Sequence, residues 1–403
     1  MKSEFKNLPS GWRVVRLGDV CEINPSSRKL PEKFYYIDLE SVEKGILHSL
    51  KEVFLETAPS RAQRLLEKGD ILFQMVRPYQ KNNILFELNG DFVASTGYAQ
   101  IRTKQNRDFI FQYLNFDTFT KKVIEKCTGS NYPAINASVF SNLMILLPPI
   151  DEQEKIAEIL STWDEAINLT INLIENKKQF KKALMQNLLT AKIRFPKFQD
   201  EWREVTIGEL FEFKKGQGLS KEMLDTNGKF ECVLYGELYT TYDEIIENVK
   251  SRTNFQGSIK SKFDDILIPS STTTGSIDIA IAAVILKNDV LLGGDINILR
   301  KKRNNIYGKF VAYCITNIKN KELSSYAQGT TIIHLYAKDF KDMKIKLPNL
   351  NEQQKIAEVL TACDDEINLL NLKLENLKKQ KQGLMQKLLS GKVIVWLKNI
   401  ASC

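Results

Sequence analysis

A segment that occurs twice constrains this chain more than anything else in it. Residues 147–192 begin LPPIDEQEKIAEILSTWDEAINL and end ENKKQFKKALMQNLLTAK. Residues 347–392 begin LPNLNEQQKIAEVLTACDDEINL and end ENLKKQKQGLMQKLLSGK. The copies align without a gap and about half of their residues are identical, far above chance for so long a window. A repeat of this kind dictates architecture before any single residue is weighed.

Each copy reads as one long helix. Pro148 and Pro348 end the preceding strand-like runs. Asp151 and Asn351 are the expected N-caps, with Glu154 and Gln354 three residues on at capping-box spacing. Apolar residues of the second copy fall at Ile356, Leu360, Cys363, Ile367, Leu370, Leu374, Leu377, Leu384 and Leu388, a 4-3 alternation interrupted by Lys381. The first copy has Ile156, Leu160, Trp163, Ile167, Ile174, Leu184 and Leu188, with Thr170, Lys177 and Lys181 weakening its middle. So narrow a seam suits a coiled coil better than a globular core face. Each helix should run roughly 57 Å at 1.5 Å per residue, and two matching seams in one chain should pack together.

The segments preceding the helices repeat as well. FKNLPSGWRVVRLGDVCE, from Phe5, is answered by FPKFQDEWREVTIGELFE, from Phe195. Trp12 matches Trp202, Arg13 matches Arg203, Val15 matches Val205 and Gly18 matches Gly208. Later matches are thinner: Gly69-Asp70 with Asp264-Asp265, Arg102 with Arg300, Gly129 with Gly329 and Phe140 with Phe340. Frame elements recur while the loops between them differ, as expected of two binding heads with one fold and different specificity. Local patterns favour mixed α/β heads. In the first, strands are expected at 35–39, 70–76, 83–88, 92–102 and 143–147, and a helix at 108–126. In the second, strands are expected at 232–235, 265–268, 277–286, 290–299 and 343–347, and a helix at 308–319.

Composition narrows the function classes. The net charge of +8 is compatible with a nucleic-acid partner without demanding one. The six cysteines form no C-x-x-C pair and read as reduced thiols of a cytoplasmic protein. The N-terminus lacks a signal-peptide core. The longest apolar run, 277–286, is too short to span a bilayer and contains Asp278, so no membrane is expected. No phosphate loop, dinucleotide fingerprint or Asn-Pro-Pro-aromatic methyltransferase signature occurs. Gly216-Gln217-Gly218 is too short for such a fingerprint, and Glu212 and Lys214 lack a partner aspartate for nuclease chemistry. With His48 and His334 alone, no histidine-rich metal site is available. His334 could face nucleic acid, but an ordinary strand histidine is the plainer reading.

The loops instead read as binding surfaces. Gln74 ends a strand and is followed by Arg77, Tyr79, Lys81, Asn82 and Asn83. Arg, Gln and Asn make bidentate contacts to base edges, and Lys suits phosphates. The equivalent place in the second head holds Ser270, Ser271, Thr272, Thr273 and Thr274, dense in hydroxyl donors. A second corresponding pair is Ser130, Asn131 and Tyr132 against Gln328, Thr330 and Thr331, and Lys215 belongs to a nearby basic pair. Any one of these loops could be an ordinary solvated turn; their corresponding placement strengthens the DNA-contact reading.

With L-P-x-x-x-E-Q-x-K-I-A-E opening each long helix and L-G-D or I-G-E opening each head, the chain resembles the specificity subunit of type I restriction–modification systems. That resemblance implies an α/β (α+β) chain of two repeated target recognition domains and two helices in an antiparallel, pseudo-two-fold coiled coil. The expected organisation is a first recognition domain over 1–146, a central spacer helix over 147–194, a second recognition domain over 195–346, a C-terminal spacer helix over 347–394 and a tail over 395–403. It also implies a non-catalytic subunit that reads a bipartite site in double-stranded DNA, one half-site per head. Modification subunits would bring S-adenosylmethionine and the methyltransferase site, and restriction subunits would bring ATP, Mg and nuclease activity; this chain would bind no cofactor. The competing expectations are a coiled-coil scaffold whose heads bind proteins, and a self-sufficient methyltransferase, against which the missing motifs argue.

Overall fold

In a computed structural model of the chain, which describes residues 8–26, 29–43 and 45–394, the opening strand of each head pairs with its closing strand. Arg13–Arg16 runs antiparallel to Met144–Leu147, and Arg203–Thr206 runs antiparallel to Lys344–Leu347. The long helices follow at once, as Ile150–Leu188 and Leu350–Leu388. The tail expected at 395–403, and the start of the opening motif at Phe5, lie outside the described residues. The chain divides into two compact units, one comprising Met1–Ile171 with Leu372–Cys403 and the other Asn172–Asn371. Each unit therefore holds one head with a stretch of both helices.

In the first unit one four-stranded sheet has the order Lys51–Phe54, Lys33–Ile37, Phe92–Ser95, Ala62–Leu65. The other has the order Cys21–Ile23, Tyr98–Thr103, Ile71–Gln74, Ile84–Leu85. The single strand expected at 92–102 is thus two strands in different sheets. Pairing loses register between Ala94 and Ser95, and the chain turns over Ser95-Thr96-Gly97. The helix expected at 108–126 is likewise two, Arg107–Leu114 and Asp117–Ile124. Asn106 caps the first by accepting the Phe109 N–H. Asn115 ends it, its side-chain amide donating back to the Phe111 carbonyl.

The second unit carries a five-stranded sheet of order Phe211–Lys215, Ile296–Lys301, Asp265–Pro269, Ala283–Ile285, Ile245–Ile246, and a three-stranded sheet centred on Phe230–Val233. Two sequence expectations change here. The run 277–286 is not one strand: Ser276–Ile279 forms a helical turn and only Ala283–Ile285 is extended. The run 290–299 is also divided, Leu291–Leu292 and Ile296–Lys301 lying in different sheets. The crossing passes through Gly293, whose carbonyl lies so close to Gly216 that a Cβ there would stand 1.9 Å from it, and through Asp295 at φ +59°. Smaller elements agree, among them the helix Gly308–Asn317.

The recurring Trp and Glu-Gln motifs are two ends of one contact. In the first unit Trp12 donates its indole N–H to Glu152 at 2.9 Å. Gln153 accepts the Asn106 N–H at 3.1 Å and donates to the Pro148 carbonyl at 2.9 Å. In the second unit Trp202 donates to Glu352, which Arg194 also grips at 2.9 and 2.8 Å. Gln353 accepts the Tyr307 N–H at 2.9 Å and donates to the Pro348 carbonyl at 2.8 Å. The buried Glu-Gln pair therefore bolts the head's first strand and main helix to the start of the long helix. The caps fall earlier than Asp151 and Asn351: the helices begin at Ile150 and Leu350, and Asn349 accepts the Glu352 N–H at 3.0 Å.

Each head's core is completed by both helices. Phe73, Phe109, Tyr113, Phe119 and Phe140 pack with Ile156, Ala157 and Leu160, and Met385, Leu388 and Leu389 join the same core. In the second unit Ile356, Ala357 and Leu360 are joined by Met185, Leu188 and Leu189. Burial of each large side chain is worth about 1.5–3 kcal/mol. Beyond the apolar ends, Lys381 donates to Asp164 at 2.6 Å in the first unit, and Lys181 pairs with Asp364 in the second. In both units the partner numbers fall as the helix numbers rise, which is antiparallel pairing. The lysines that interrupt the apolar seam thus meet an aspartate on the facing helix. Asp164 also accepts from Gln112 at 2.6 Å, and Asp364 from the Tyr313 hydroxyl at 2.5 Å, so each pair is tied to its head.

Candidate nucleic-acid interface

The two heads share a hydrogen-bonded frame under their loops. Asp70 is buried and receives a two-pronged contact from Arg102 at 2.8 and 2.9 Å. Asp265 receives the same from Arg300 at 2.9 and 2.5 Å. These hydrogen bonds push both guanidinium groups further toward the cationic form. From this frame a strand leads up to the candidate loop in each head, where a hairpin meets it. The hairpins turn at Gly129 (φ +91°) and Gly329 (φ +118°), and at Gly329 a Cβ would lie 2.1 Å from the Ile332 carbonyl. Only glycine fits there.

In the first head Arg77 lies at φ +54°, its N–H bound to the Pro133 carbonyl of the hairpin at 2.7 Å. Its guanidinium sits over the Tyr132 ring, 4.3 Å from the centroid. Tyr132 is 65% exposed and Tyr79 52%, and Ser130 and Asn131 are exposed beside them. The left-handed backbone at Arg77 and Lys81 is an unusual conformation for residues with side chains, and it brackets the turn Pro78–Gln80, which buries Pro78 and exposes Tyr79 and Gln80.

Other candidates from this loop are spent inside it. Gln74 is buried, donates to Gln80 at 2.8 Å and accepts the Asn82 N–H at 3.2 Å. Asn83 is buried, accepts the Gln74 N–H at 2.8 Å and donates to Asn115 at 3.0 Å. Lys81 donates to the Asn115 carbonyl at 2.9 Å and is neutralised by Asp117. Asp117 is held below its ordinary value: burial alone would raise it, but hydrogen bonds from Lys81 and Gln382 outweigh that. These side chains shape the loop from beneath.

In the second head Ser270, Ser271 and Thr272 are buried, and Ser271–Thr272 pairs with Ile333–His334 of the hairpin. Thr273 and Thr274 alone of that hydroxyl run are exposed, Thr274 sharing a 2.9 Å hydrogen bond with Thr272. Gln328, Thr330 and Thr331 are exposed on the hairpin, and Lys215 is exposed nearby, 3.7 Å from Asp295. Two aromatic rings stand among them, His334, for which an ordinary strand histidine is the plainer expectation, and Tyr336, which is not among the expected contacts; they stack with centroids 5.6 Å apart and planes 5° from parallel. The signal was present in IIHLY, where alternation puts His334 and Tyr336 on one face and Leu335 on the other.

Among the described residues no three His, Cys, Asp or Glu side chains are grouped to hold a metal, and no helix is long and apolar enough to cross a membrane. Two heads on one frame, each closed by both long helices and bearing different side chains on the same loops, define a duplicated recognition protein. Residues 9–177 and 199–379 match the type I restriction modification DNA specificity domain. The putative type I restriction enzyme MjaX specificity subunit of Methanocaldococcus jannaschii is 26% identical over 418 residues, covering 98% of this chain and 96% of that protein. The MjaVIII specificity subunit of the same organism is 24% identical over 426 residues, covering 96% and 94%. A structure solved in work on assembly and conformational transition of the type I R-M system superposes with a TM-score of 0.62 at 24% identity, covering 96% of this chain and all of that one. The S subunit from M. genitalium superposes with a TM-score of 0.59 at 18% identity, covering 95% and 97%. The chain belongs to the type I restriction–modification DNA specificity family, whose subunits are non-catalytic.

Proposed function

We propose that this chain reads a bipartite target in double-stranded DNA, one half-site per head, and that its long helices space the heads and dock modification subunits. The observation that carries this reading is the pair of corresponding hairpins on one frame, with Tyr132 of the first under Arg77 of the neighbouring loop and His334 and Tyr336 on the second. An arginine stacked on an exposed tyrosine is pre-ordered to reach a base edge or phosphate. The helices support docking. Leu169, Leu173 and Phe180 are exposed at spacings that share one side of the central helix, and Leu369 and Leu372 are exposed on the C-terminal helix.

In this reading the methyl donor S-adenosylmethionine belongs to the modification subunits, ATP and Mg belong to the restriction subunits, and the complex works in the cytoplasm. Within the first head, Arg77, Tyr79, Ser130, Asn131 and Tyr132 touch DNA, while Gln74, Lys81, Asn82 and Asn83 hold the loop. Within the second, Lys215, Thr273, Thr274, Gln328, Thr330 and Thr331 surround the contact, and Ser270, Ser271 and Thr272 are its base. The test is a mobility-shift assay with the chain and its modification partner, followed by mapping of methylated sites. A defined sequence with two specific parts and an unread gap is expected. A complex that forms without any preference among DNA sequences would favour the scaffold reading. Methylation by the chain alone would overturn its non-catalytic role.

A further inference from the structure

Resting on that DNA-reading function, we propose that His334 and Tyr336 read bases in the second head, with Lys215 and Lys338 as their phosphate anchors. The serine-threonine run that sequence alone favoured cannot supply the main contact, because Ser270, Ser271 and Thr272 are buried under the hairpin. What they do is hold the reader. Leu335 is wholly buried, its N–H donates to the Ser270 carbonyl at 3.1 Å, and its carbonyl accepts from Asn297 at 2.8 Å. The neighbouring His334 is fixed through both backbone groups to Gln328, at 2.7 and 2.8 Å. With Leu335 pinned inward, His334 and Tyr336 must face outward together.

The two rings are stacked on one another and so pre-ordered, and little rotamer freedom is lost on binding. Imidazole and phenol each offer a donor and an acceptor, which suits the mixed edges of the major groove. The Lys338 ammonium lies 5.7 Å from the Tyr336 ring centroid and the Lys215 ammonium 6.0 Å, on exposed side chains. The carboxylate nearest Lys215 is Asp295, at a distance too long for a strong pair. Aromatic rings interleaved with lysines combine orientation-specific contacts with charge neutralisation of the backbone. The first head cannot do the same at the same places. It has Ala134 and Asn136 there, and Asn136 is spent accepting the Val139 N–H at the start of a helix.

The experiment uses the full chain assembled with its modification subunit, on a DNA library randomised through both half-sites. His334→Ala should lose roughly 5- to 150-fold discrimination at one or two positions of one half-site. The other half-site, read by the unsubstituted first head, should be unchanged and serves as a folding control. Tyr336→Phe keeps the ring and removes only the hydroxyl, so it carries the test if His334→Ala fails to assemble; it should relax a position in the same half-site. Lys338→Ala should weaken all sequences alike and lower the salt slope by about one. If the assembled complex keeps its bipartite preference and both ring variants read it unchanged, this inference fails while the DNA-reading function stands. If the unsubstituted complex shows no sequence preference, both fall.

Discussion

The first head offers an arginine over a tyrosine at the tip of its hairpin, and the second offers a histidine against a tyrosine on the stem of the corresponding hairpin. Beneath them Asp70 with Arg102 and Asp265 with Arg300 occupy corresponding places, as do Gly129 and Gly329. Duplication has kept the groups that need burial, exact partners or positive φ. It has let the outward side chains drift, because no core partner constrains them. The same contrast holds for the helices. Met185, Leu188 and Leu189 plug the second head as Met385, Leu388 and Leu389 plug the first, residue for residue.

The largest effect should come from removing one half. A chain ending near Lys197 loses Met385, Leu388 and Leu389 from its head core but keeps their counterparts on its own helix. Lys181 of a second copy could likewise meet Asp164. The half-chain is expected to form a two-fold dimer by light scattering and, with the modification subunit, to methylate a palindrome of one half-site. A stable monomer would break the equivalence of the helices.

Next come the seam ion pairs. In the second unit Lys181 and Asp364 are 12% and 25% exposed; in the first, Lys381 and Asp164 are 15% and 37% exposed. Removing one partner of a fully buried pair costs about 3–5 kcal/mol, and partial exposure lowers this to about 1–3 kcal/mol. Asp364→Ala should therefore cost more than Asp164→Ala in chemical denaturation, and the double change Lys181→Ala with Asp364→Ala should recover part of the loss. Equal losses in the two units would remove this distinction between them.

Changing Arg77→Ala is expected to relax the first half-site alone by about 1–3 kcal/mol, read by methylation mapping. Lys81→Ala sharpens the point, because Asp117 already neutralises that ammonium. It should leave the salt slope unchanged and lower stability by no more than about 1 kcal/mol. A drop in the slope would return Lys81 to the phosphate-contacting set.

The smallest contrast is alkaline. Burial pushes the Cys314 thiol from 9.0 up to about 12, and the first head has Leu114 at that place in its helix. Below pH 9 the thiol is neutral whether the chain is folded or not. Between pH 9 and 12 only the unfolded chain ionises it, so folding stability falls as pH rises, by at most about 1.4 kcal/mol per pH unit. Cys314→Ala should flatten the alkaline slope of the full chain by that much, measured by denaturation at stepped pH. An unchanged slope would show that the thiol is not held neutral.

Long periodic elements and the repeated motifs were legible because their signals are local. The 4-3 alternation finds both helices, and Trp12, Trp202 and the two Glu-Gln pairs mark contacts whose partners lie far off in the chain. Short elements were less legible. Residues 92–102 and 290–299 look like unbroken strands, yet each changes sheet midway, and nothing within such a window tells which sheet will accept its edge. The candidate site divides in the same way. Tyr132, Thr330 and Thr331 are exposed and Arg77 is half-buried over the Tyr132 ring, while Gln74, Asn83, Ser270 and Thr272 are buried.

By itself, then, the sequence determined the duplication, the two long helices and the family, since identity at fixed spacing and apolar periodicity survive without coordinates. Only the tertiary structure decided which polar side chains face solvent and which are consumed. Lys81 has the composition of a phosphate contact until Asp117 arrives from a separate helix, and Lys181 has that of a seam defect until Asp364 arrives from the facing one. A charge is free or satisfied according to what the fold brings within about 3 Å of it, and that distance is not written in the neighbouring residues.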